Sequence, residues 1–394
     1  MSAPVNIPEQ WRRELPAGAT RIGLILLVLG ILVVGGAYLV DAKRAAFNNI
    51  ILFLFVTSIA GGSVFLVALE YIAGAVWSVP IRRVVEFLAG LMPALPLLAL
   101  PLLANLHDLF HWTHPEAVAA DTILKGKEAY LNVPFFIGRF VAVFVLWNLF
   151  TYLFVRNSRA QDSSGDPKLT TRNIRLAAIF IPVFAITITV IAIDWMMSLE
   201  PHWFSTIFGV YYFSGTTLAA VAAVTYVAVS FHEKGLLVPL RRDHFYSLGA
   251  LMFVFVNFWA YIAFSQFLLI WYANIPEETV WFMSRWQNGW EYVSVLLIIV
   301  HFAVPYFALL TQDSKMDPKR LKLMAVWILA AHVLDLYWLI MPTYSPQVTV
   351  GWMEILFPVL AVGLVIVALG WQMKRWNLVP VKDPKLQRAL DFRL

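Results

Sequence analysis

Ten apolar runs, each long enough to cross a lipid bilayer, divide this chain and exclude a water-soluble fold. A spanning helix needs roughly 20 consecutive apolar residues. Hydrophobic residues make up 60% of the chain and charged residues 13%, which is far from the composition of a soluble domain. The sequence therefore predicts an all-α integral membrane protein with ten transmembrane helices. The runs fall at residues 21–40, 49–77, 84–106, 134–155, 173–197, 205–231, 245–273, 287–311, 321–341 and 351–373.

Short polar segments stand at both ends of the chain. Residues 1–20 form a polar N-terminal segment, residues 21–373 the membrane domain, and residues 374–394 a charged tail. No small-residue cleavage pattern follows the first apolar run, so we predict that this run is a retained helix and not a signal peptide. Because four spans restore the direction of the chain, runs 2–5 and 6–9 can form two four-helix bundles, with runs 1 and 10 at their flanks.

The distribution of positive charge predicts how the chain is oriented. Of the 29 lysines and arginines, six lie on one side of the membrane and the remaining 23 on the side that holds the two termini. The six are Lys43, Arg44, Lys125, Lys127, Arg139 and Arg285. Since these residues accumulate in cytoplasmic loops, we predict that both termini are cytoplasmic. The net charge of +5 suits loops that face anionic lipid, and no basic stripe for nucleic acid occurs outside them.

A polar interruption at the middle of the chain joins the fifth and sixth runs. Residues 194–214 read DWMMSLEPHWFSTIFGVYYFS, and Glu200-Pro201-His202 cannot remain in hydrocarbon. We predict a tight hairpin on the outer face. Trp195 and Trp203 are expected to anchor it at the lipid interface.

The second and third runs contain residues that favour bends. The third run holds Pro93, Pro96 and Pro101, and the second holds Gly61-Gly62-Ser63. Proline removes a hydrogen bond from the helix interior and glycine loosens the backbone, so both helices are expected to bend. On the inside, polar residues 156–172 are expected to form a solvated linker.

The complete lack of cysteine limits which redox centres the chain can hold. Without thiols it forms no disulfide, no thiolate-ligated iron–sulfur cluster and no covalently attached c-type haem. Any redox centre must belong to a partner subunit or be ligated by histidine.

The ionisable residues within the apolar runs are the most informative part of the sequence, because a charge at the bilayer centre costs on the order of 3 kcal/mol. One interpretation is a proton relay through groups at staggered depths. A second is that these groups join helices by hydrogen bonds. A third is that His301 and His332 are the axial ligands of a b-type haem. The relay candidates are Glu70, Asp194, Glu291, His301, His332 and Asp335.

Three histidines follow the third run at offsets of four and seven, which places them on one helical face. A zinc site needs such a face but also a fixed and commonly closed set of ligands. Trp112 and Pro115 mark an interfacial helix end, so we favour a polar surface element and predict no metal site. The cluster consists of His107, Asp108, His111 and His114.

A quinol site requires an apolar slot, aromatic walls and polar groups that bond the quinol oxygens and accept their protons. Residues of these types lie towards the outer ends of the fifth to seventh runs. The candidates are Asp194, His202, Tyr211, Trp259 and Gln266, with Tyr212 and Tyr261 beside them.

Three segments carry a resemblance to a known family. They are residues 194–214, residues 107–136 with HDLFHWTHPEAV and KEAYLNVPFF, and residues 258–282 with FWAYIAFSQFLLIWYANIPEETVWF. The first resembles the quinol-oxidoreductase membrane subunits of alternative complex III, which are relatives of the polysulfide-reductase membrane subunit. The other two resemble the smaller of the two such subunits in that complex.

The resemblance implies two four-helix bundles and a location in the bacterial cytoplasmic membrane. It implies a subunit that supports quinol oxidation and proton translocation, is not catalytic alone and has no redox cofactor of its own. Menaquinol or another quinol is the expected ligand. The implied partners are a paralogous quinol-binding membrane subunit, an iron–sulfur protein, multihaem c-type cytochrome subunits, small membrane subunits and lipid, with haem and iron–sulfur clusters on the partners.

Two alternatives stay open at this point. A quinol-binding membrane anchor of a polysulfide-reductase-like molybdoenzyme would carry the same apolar runs and a similar pocket. A secondary transporter would also place polar groups at mid-depth among bent helices.

Overall fold

A computed structural model describes residues 10–394 and confirms the all-helical, multi-pass membrane architecture. Within that range ten helices are long and apolar enough to cross a membrane, and they are numbered here as helices 1 to 10. No strand occurs in the described residues. The ten helices are Ala17–Val40, Ala42–Ala73, Val79–Ala104, Val133–Ser164, Pro167–Leu199, Phe208–Glu233, Arg242–Ala273, Trp290–Ala308, Pro318–Tyr344 and Trp352–Arg375.

Three of these helices change their winding along their length. Helix 3 consists of two 3₁₀ turns and two α-helical parts, and it is broken at Gly90. Helix 5 ends in the 3₁₀ turn Met197–Leu199, and helix 8 contains the π-helical segment Ile298–Ala303. The parts of helix 3 are Val79–Ile81, Arg82–Ala89, Met92–Ala94 and Leu95–Ala104.

Short helices connect the spans. The connecting helices are Leu106–Leu109, Pro115–Ala120, Thr122–Lys127, Pro276–Ser284 and Gln312–Met316, with the 3₁₀ turn His111–Thr113, and Leu386–Leu390 lies in the C-terminal tail.

The number of spans defines the two sides of the membrane domain. Because an even number of spans separates the two ends of the chain, both ends lie on one side, which we call the terminal side. The opposite side is the hairpin side.

The boundaries of helices 2, 4 and 5 correct the sequence-based expectation. Helix 2 begins at Ala42, several residues earlier than its apolar run, because Asp41 caps it by accepting a hydrogen bond from the Arg44 amide. Residues 156–172 are not an irregular linker. Helix 4 continues to Ser164, and helix 5 starts at Pro167 after a turn at Gly165, whose φ of 64° suits glycine.

Helices 2 and 6 form the centre of the molecule. In their most apolar windows, 94% and 83% of the residues are buried. Helix 2 contacts helices 5, 6 and 9, and helix 6 also packs on helices 7 and 9. At Gly62 an added Cβ would lie 2.7 Å from the Thr216 carbonyl oxygen. Helix 2 is continuously α-helical through this point, and the glycine permits close packing of helices 2 and 6.

Helices 1 and 10 pack together at the periphery. A Cβ at Gly363 would lie 2.3 Å from the Leu27 amide nitrogen, and one at Gly30 would lie 2.5 Å from the Leu360 Cα. Small residues thus bring these two backbones together, as is common between membrane helices. By contrast, only 17% of the helix 8 window is buried, so most of that helix lies on the outer surface of the described chain.

The hairpin between helices 5 and 6 exists, but its tryptophans are not interfacial anchors. Trp195 is 1% exposed and packs against Phe53, with 5.0 Å between ring centroids. Trp203 is 5% exposed and stacks on Trp281 at 4.6 Å. Both rings fill the protein interior, because the short helices on this side cover them.

Candidate functional site

Three ionisable residues from helices 8 and 9 meet in the interior of the membrane domain. His301, His332 and Asp335 are each 1% exposed, and each offers an atom within 4.8 Å of the other two. The sequence placed His332 and Asp335 on one face of helix 9. The structure brings His301 of helix 8 to the same face, and we call these three residues the central cluster.

His301 has no hydrogen-bond partner for either ring nitrogen among residues 10–394. Its ring lies 4.0 Å from the Trp259 ring, measured between centroids, and 6.3 Å from the His332 ring. It sits in the π-helical segment of helix 8, whose Val300 carbonyl accepts a hydrogen bond from the Trp327 indole of helix 9. Such segments carry a cost in helix geometry and are frequent at functional sites. The local rewinding places an unsatisfied imidazole beside Asp335.

Asp335 accepts two hydrogen bonds from other helices. The Tyr211 hydroxyl donates to Oδ1 at 2.5 Å, and the Trp259 indole donates to Oδ2 at 3.1 Å. Both donors are buried, as is the carboxyl group. Helices 6, 7 and 9 are therefore joined at this single side chain. The two donors can stabilise an ionised carboxylate. Neither of them bonds Nδ1 of His332, which lies 3.9 Å from Oδ2.

His332 links the cluster to helix 2. Its Nε2 lies 3.0 Å from the Ser58 hydroxyl, which itself donates to the Leu54 carbonyl at 2.8 Å. With its proton on the Leu54 carbonyl, the Ser58 oxygen can accept a hydrogen bond from Nε2 in the tautomer that is protonated there. The other nitrogen, Nδ1, has no partner in the described chain and lies 3.9 Å from Oδ2 of Asp335. Nδ1 thus faces a carboxyl oxygen at a distance beyond that of a direct hydrogen bond.

Gly215 of helix 6 makes room for this histidine. An added Cβ would lie 3.0 Å from Cε1 of His332 and 3.6 Å from Oδ2 of Asp335. The central cluster is enclosed on this side by backbone. The His301 and His332 rings lie 6.3 Å apart between centroids, and both are buried in the described chain.

Glu70, the relay candidate nearest the terminal side, has a different environment. Its carboxylate accepts a hydrogen bond from Arg82 at 2.6 Å, and Arg82 also binds Asp383 of the C-terminal tail at 2.5 Å. Tyr71 lies against the same guanidinium, 4.8 Å from ring centroid to Cζ. All three charged groups are buried. We call Glu70, Arg82 and Asp383 the terminal-side network, and it ties helices 2 and 3 to the tail.

Asp194 and Glu291, two further relay candidates, lie apart from the central cluster. Asp194 receives two hydrogen bonds from Arg139 at 2.8 and 3.0 Å and one from Tyr130 at 3.1 Å. Burial raises the pKa of Tyr130 to about 12, so this phenol remains a donor. Glu291 accepts from the Gly289 amide at 2.9 Å and caps the start of helix 8. Each carboxylate has a structural partner.

The other charged groups of the hairpin also separate from one another. Glu200 binds Arg285 at 3.1 Å, and His202 lies 2.5 Å from Asp121, whose pKa this contact lowers. Arg285 is 1% exposed, stacks on Trp281 and donates to three backbone carbonyls, and burial lowers its pKa. The hairpin is therefore held by three separate pairs and does not form one ionisable site.

A cavity of about 600 Å³ adjoins the central cluster between helices 7 and 8. Its lining includes Tyr211, Trp259 and Gln266, three of the five residues proposed for quinol binding, and also Arg285. Asp194 and His202, the other two, do not line it. Tyr261 lies in its wall, whereas Tyr212 points elsewhere and donates to the Leu54 carbonyl. The cavity has mostly apolar walls and a few convergent polar groups, as ligand sites commonly do.

The histidines after helix 3 form a surface element. His107, His111 and His114 are exposed, and ring centroids are 5.3 Å apart for the first and third. His107 bonds Thr113, and His114 bonds the His107 carbonyl. These contacts stabilise a turn through one ring nitrogen each of His107 and His114.

The contacts that four residues make at these sites were not predicted from the sequence. Ser58 lies in an apolar run with no pattern to mark it, and Tyr211 was proposed for quinol but not as a partner of Asp335. Arg82 and Asp383 are 301 positions apart, so no local spacing relates them. A signal for Arg82 did exist, because an arginine at the start of a membrane helix needs a partner when it is buried.

No protein-family model matches the chain, and a search of curated proteins finds no similar sequence. The geometry of the central cluster and of the adjoining cavity is therefore the basis for assigning a function.

Proposed function

We propose that this chain is an integral membrane subunit of a quinol:electron-acceptor oxidoreductase of the alternative complex III type, in which it takes part in proton movement. The central cluster is the observation that carries the proposal. Buried ionisable groups are costly in a membrane and mark function when no partner neutralises them. Neither of the two His301 ring nitrogens nor Nδ1 of His332 has a hydrogen-bond partner in the described residues.

The chemistry of the cluster suits transfer of single protons. Neutral imidazole accepts a proton at one nitrogen and can release one from the other, and a nearby carboxylate stabilises the cation that forms in between. His332 has Asp335 at 3.9 Å on one side and Ser58 at 3.0 Å on the other. A proton that arrives at Nδ1 is therefore balanced by Asp335, while Nε2 offers its proton towards helix 2.

The adjoining cavity supports a role in handling quinol. Tyr211 and Trp259 line the cavity and also donate to Asp335, so one pair of side chains belongs to both sites. Oxidation of a quinol releases two protons, and a ring bound in this cavity would release them beside a carboxylate. The aromatic walls fit a quinone ring and the opening towards lipid fits an isoprenoid tail.

The remaining parts of the proposal come from the charge distribution and the resemblance. Helices 2–5 and 6–9 form two bundles, and both termini face the cytoplasm of a bacterium. The partners are a paralogous quinol-binding membrane subunit, an iron–sulfur protein, multihaem c-type cytochromes and small membrane subunits. Those partners carry the haem and the iron–sulfur clusters, since this chain has no cysteine.

Affinity purification of the full chain from its native membrane in a mild detergent tests the assembly. We expect multihaem cytochrome and iron–sulfur subunits to co-purify, and quinol to reduce their haems. Co-purification of a molybdopterin protein with one iron–sulfur protein would instead indicate the molybdoenzyme anchor. A chain that purifies alone and catalyses solute uptake in liposomes would contradict both and indicate a transporter.

Single cysteines test the orientation, because the native chain has none. Ser163→Cys lies on the terminal side and Glu200→Cys on the hairpin side. In intact cells an impermeant thiol reagent should label the second variant and not the first. The reverse pattern would overturn the proposed orientation.

A further inference from the structure

A second large cavity lies on the terminal side, and none of its lining residues belongs to the central cluster. It measures about 790 Å³ and opens between helices 3, 4 and 10. Its lining includes Tyr152, Arg156 and Arg159 of helix 4 and Trp371 with Gln372 of helix 10. Trp376, just after helix 10, completes the wall. Arginines and tryptophans in this position are typical of the boundary between hydrocarbon and headgroups.

Two arginines of the cavity lining, Arg156 and Arg159, and the neighbouring Arg375 each lie against an aromatic ring. Arg159 lies 4.2 Å from the Trp376 ring centroid, and Arg375 lies 4.1 Å from that of Trp371. Arg156 lies 6.0 Å from the Tyr152 ring, at the limit of such contacts. The rings hold the guanidinium planes at the cavity wall without neutralising their charge.

Arg159 is held in place by a neutral residue. It donates to the Gln372 side-chain oxygen at 3.2 Å, and Gln372 donates in turn to the Phe87 carbonyl at 2.7 Å. Gly90, at the break in helix 3, permits this approach, since a Cβ there would lie 2.6 Å from the Gln372 amide nitrogen. The Nε of Arg159 is buried without a partner, and no carboxylate of the described chain lies within ion-pair distance. The site thus presents an oriented cation that lacks an anion.

The carboxylates nearest the cavity already have a cation. Arg83 binds Glu86 at 2.5 Å and Asp162 at 2.8 Å. Glu86 lines the cavity, is fully buried and keeps one oxygen without a hydrogen-bond partner, so an anion is favoured beside the exposed arginine of the cavity and not beside Glu86. At the mouth Lys382 adds a further positive charge, with its Nζ on the Ser163 carbonyl at 3.0 Å.

Helix 4 also provides an apolar path from this mouth into the bilayer. Val141, Val145, Leu149 and Tyr152 are all exposed, with 50%, 59%, 48% and 59% of their surface accessible. Their spacing of three and four places them along one face of the helix. The face runs from the middle of helix 4 towards Arg156 and is long enough for an acyl chain.

We infer that this cavity binds an anionic phospholipid, with its phosphate at Arg156 and Arg159 and an acyl chain along the exposed face of helix 4. Arginine forks bind phosphate through paired hydrogen bonds, and basic pockets between membrane helices select anionic headgroups. The aromatic rings position the arginines at the depth of the phosphate. This site shares no residue with the central cluster, so rejection of the proposed proton and quinol chemistry would leave the lipid site unaffected.

Native mass spectrometry of the full chain, released from detergent after addition of phosphatidylglycerol, tests the inference. We expect one retained phosphatidylglycerol and little retention of phosphatidylcholine at the same concentration. Arg156→Gln and Arg159→Gln should each weaken retention roughly tenfold, as expected for loss of one charge-assisted contact. Arg172→Gln, which removes an exposed positive charge on the same side, is the matched control and should leave retention unchanged.

Two further arms separate the possible outcomes. Arg159→Lys keeps the charge without the fork and should retain more phosphatidylglycerol than Arg159→Gln. Because the Arg156 side chain is exposed, Arg156→Gln should fold normally, so its loss of retention would not be due to a folding defect. Addition of inorganic phosphate should not displace the lipid if the acyl chain contributes. Displacement by phosphate alone would assign the site to a free anion. Equal retention of both lipids, or equal loss in Arg172→Gln, would overturn the inference.

Discussion

The terminal-side network and the central cluster are both buried groups of ionisable side chains, but they differ in how completely their hydrogen bonds are used. In the network, Arg82 lies between Glu70 at 2.6 Å and Asp383 at 2.5 Å. In the central cluster, both nitrogens of His301 and one of His332 lack partners in the described chain. One group is an ion pair that holds helices together, and the other keeps unused capacity to bind protons.

This difference separates two interpretations that the sequence left open. Burial and position in an apolar run made Glu70 and Asp335 equivalent relay candidates. Glu70 is paired with Arg82, which favours a structural role, whereas Asp335 lies beside histidine nitrogens without hydrogen-bond partners, which favours the proposed role in proton movement. Burial of an ionisable group in an apolar run is therefore not enough to indicate function, because the hydrogen-bond and ion-pair partners of the group must also be known.

Replacement of Arg82 by methionine should have the largest effect. Arg82→Met leaves two carboxylates buried without their cation, which costs about 3–5 kcal/mol for a buried pair. We expect little folded protein, measured as the monodisperse fraction after extraction in detergent. Arg172→Met removes an exposed arginine and should retain the wild-type yield. Wild-type yield from Arg82→Met would show that the network is not structural.

Glu70→Gln should have a smaller effect, because the amide still accepts a hydrogen bond from Arg82 and Asp383 keeps its charge. Loss of the charge-assisted component predicts about 1–3 kcal/mol lower free energy of unfolding in a detergent titration. The ratio of protons moved to electrons transferred should stay unchanged in the assembled complex. Glu277→Gln, at an exposed glutamate, is the control. A lowered ratio with normal stability would return Glu70 to the relay.

Asp121→Asn should have the smallest effect and a defined pH dependence. The contact with His202 lowers the pKa of Asp121, so the ionised form stabilises the fold above the ordinary value of about 4. That stabilisation is lost as pH falls through the lowered pKa. Asparagine keeps the cap on Thr122–Lys127, so near neutral pH the apparent melting temperature should fall by at most about 2 °C. A difference from the native protein that grows on acidification would contradict this assignment.

Much of the fold follows from the sequence. All ten spans were predicted because about 20 apolar residues can satisfy their backbone in lipid only as a helix. The errors lie where side-chain partners decide the outcome. Asp41 starts helix 2 early, and Gly62 allows close packing of helix 6, which its position in an apolar run did not reveal.

The candidate site was predictable only in part, for a similar reason. The spacing of His332 and Asp335 follows from one helix, but the approach of His301 depends on a π-helical segment and on packing between helices. Trp203 was expected at the interface, but the helix Pro276–Ser284 covers it, and the Trp203 indole donates to the Glu278 carbonyl of that helix. These two residues are 75 positions apart, so no local pattern relates them. Pairings over such separations are decided by the tertiary fold.

The ratio of protons moved to electrons transferred in the reconstituted complex carrying Asp335→Asn tests the central claim most directly. Asparagine keeps the shape of the side chain and an oxygen that can accept from Tyr211, so the complex should assemble and reduce its acceptor. The ratio should fall, because the amide cannot take up the proton that His332 exchanges. Glu291→Gln, which alters a carboxylate outside the central cluster, should leave the ratio unchanged. An unchanged ratio in Asp335→Asn would contradict a proton-active central cluster and leave this chain a scaffold for its partners.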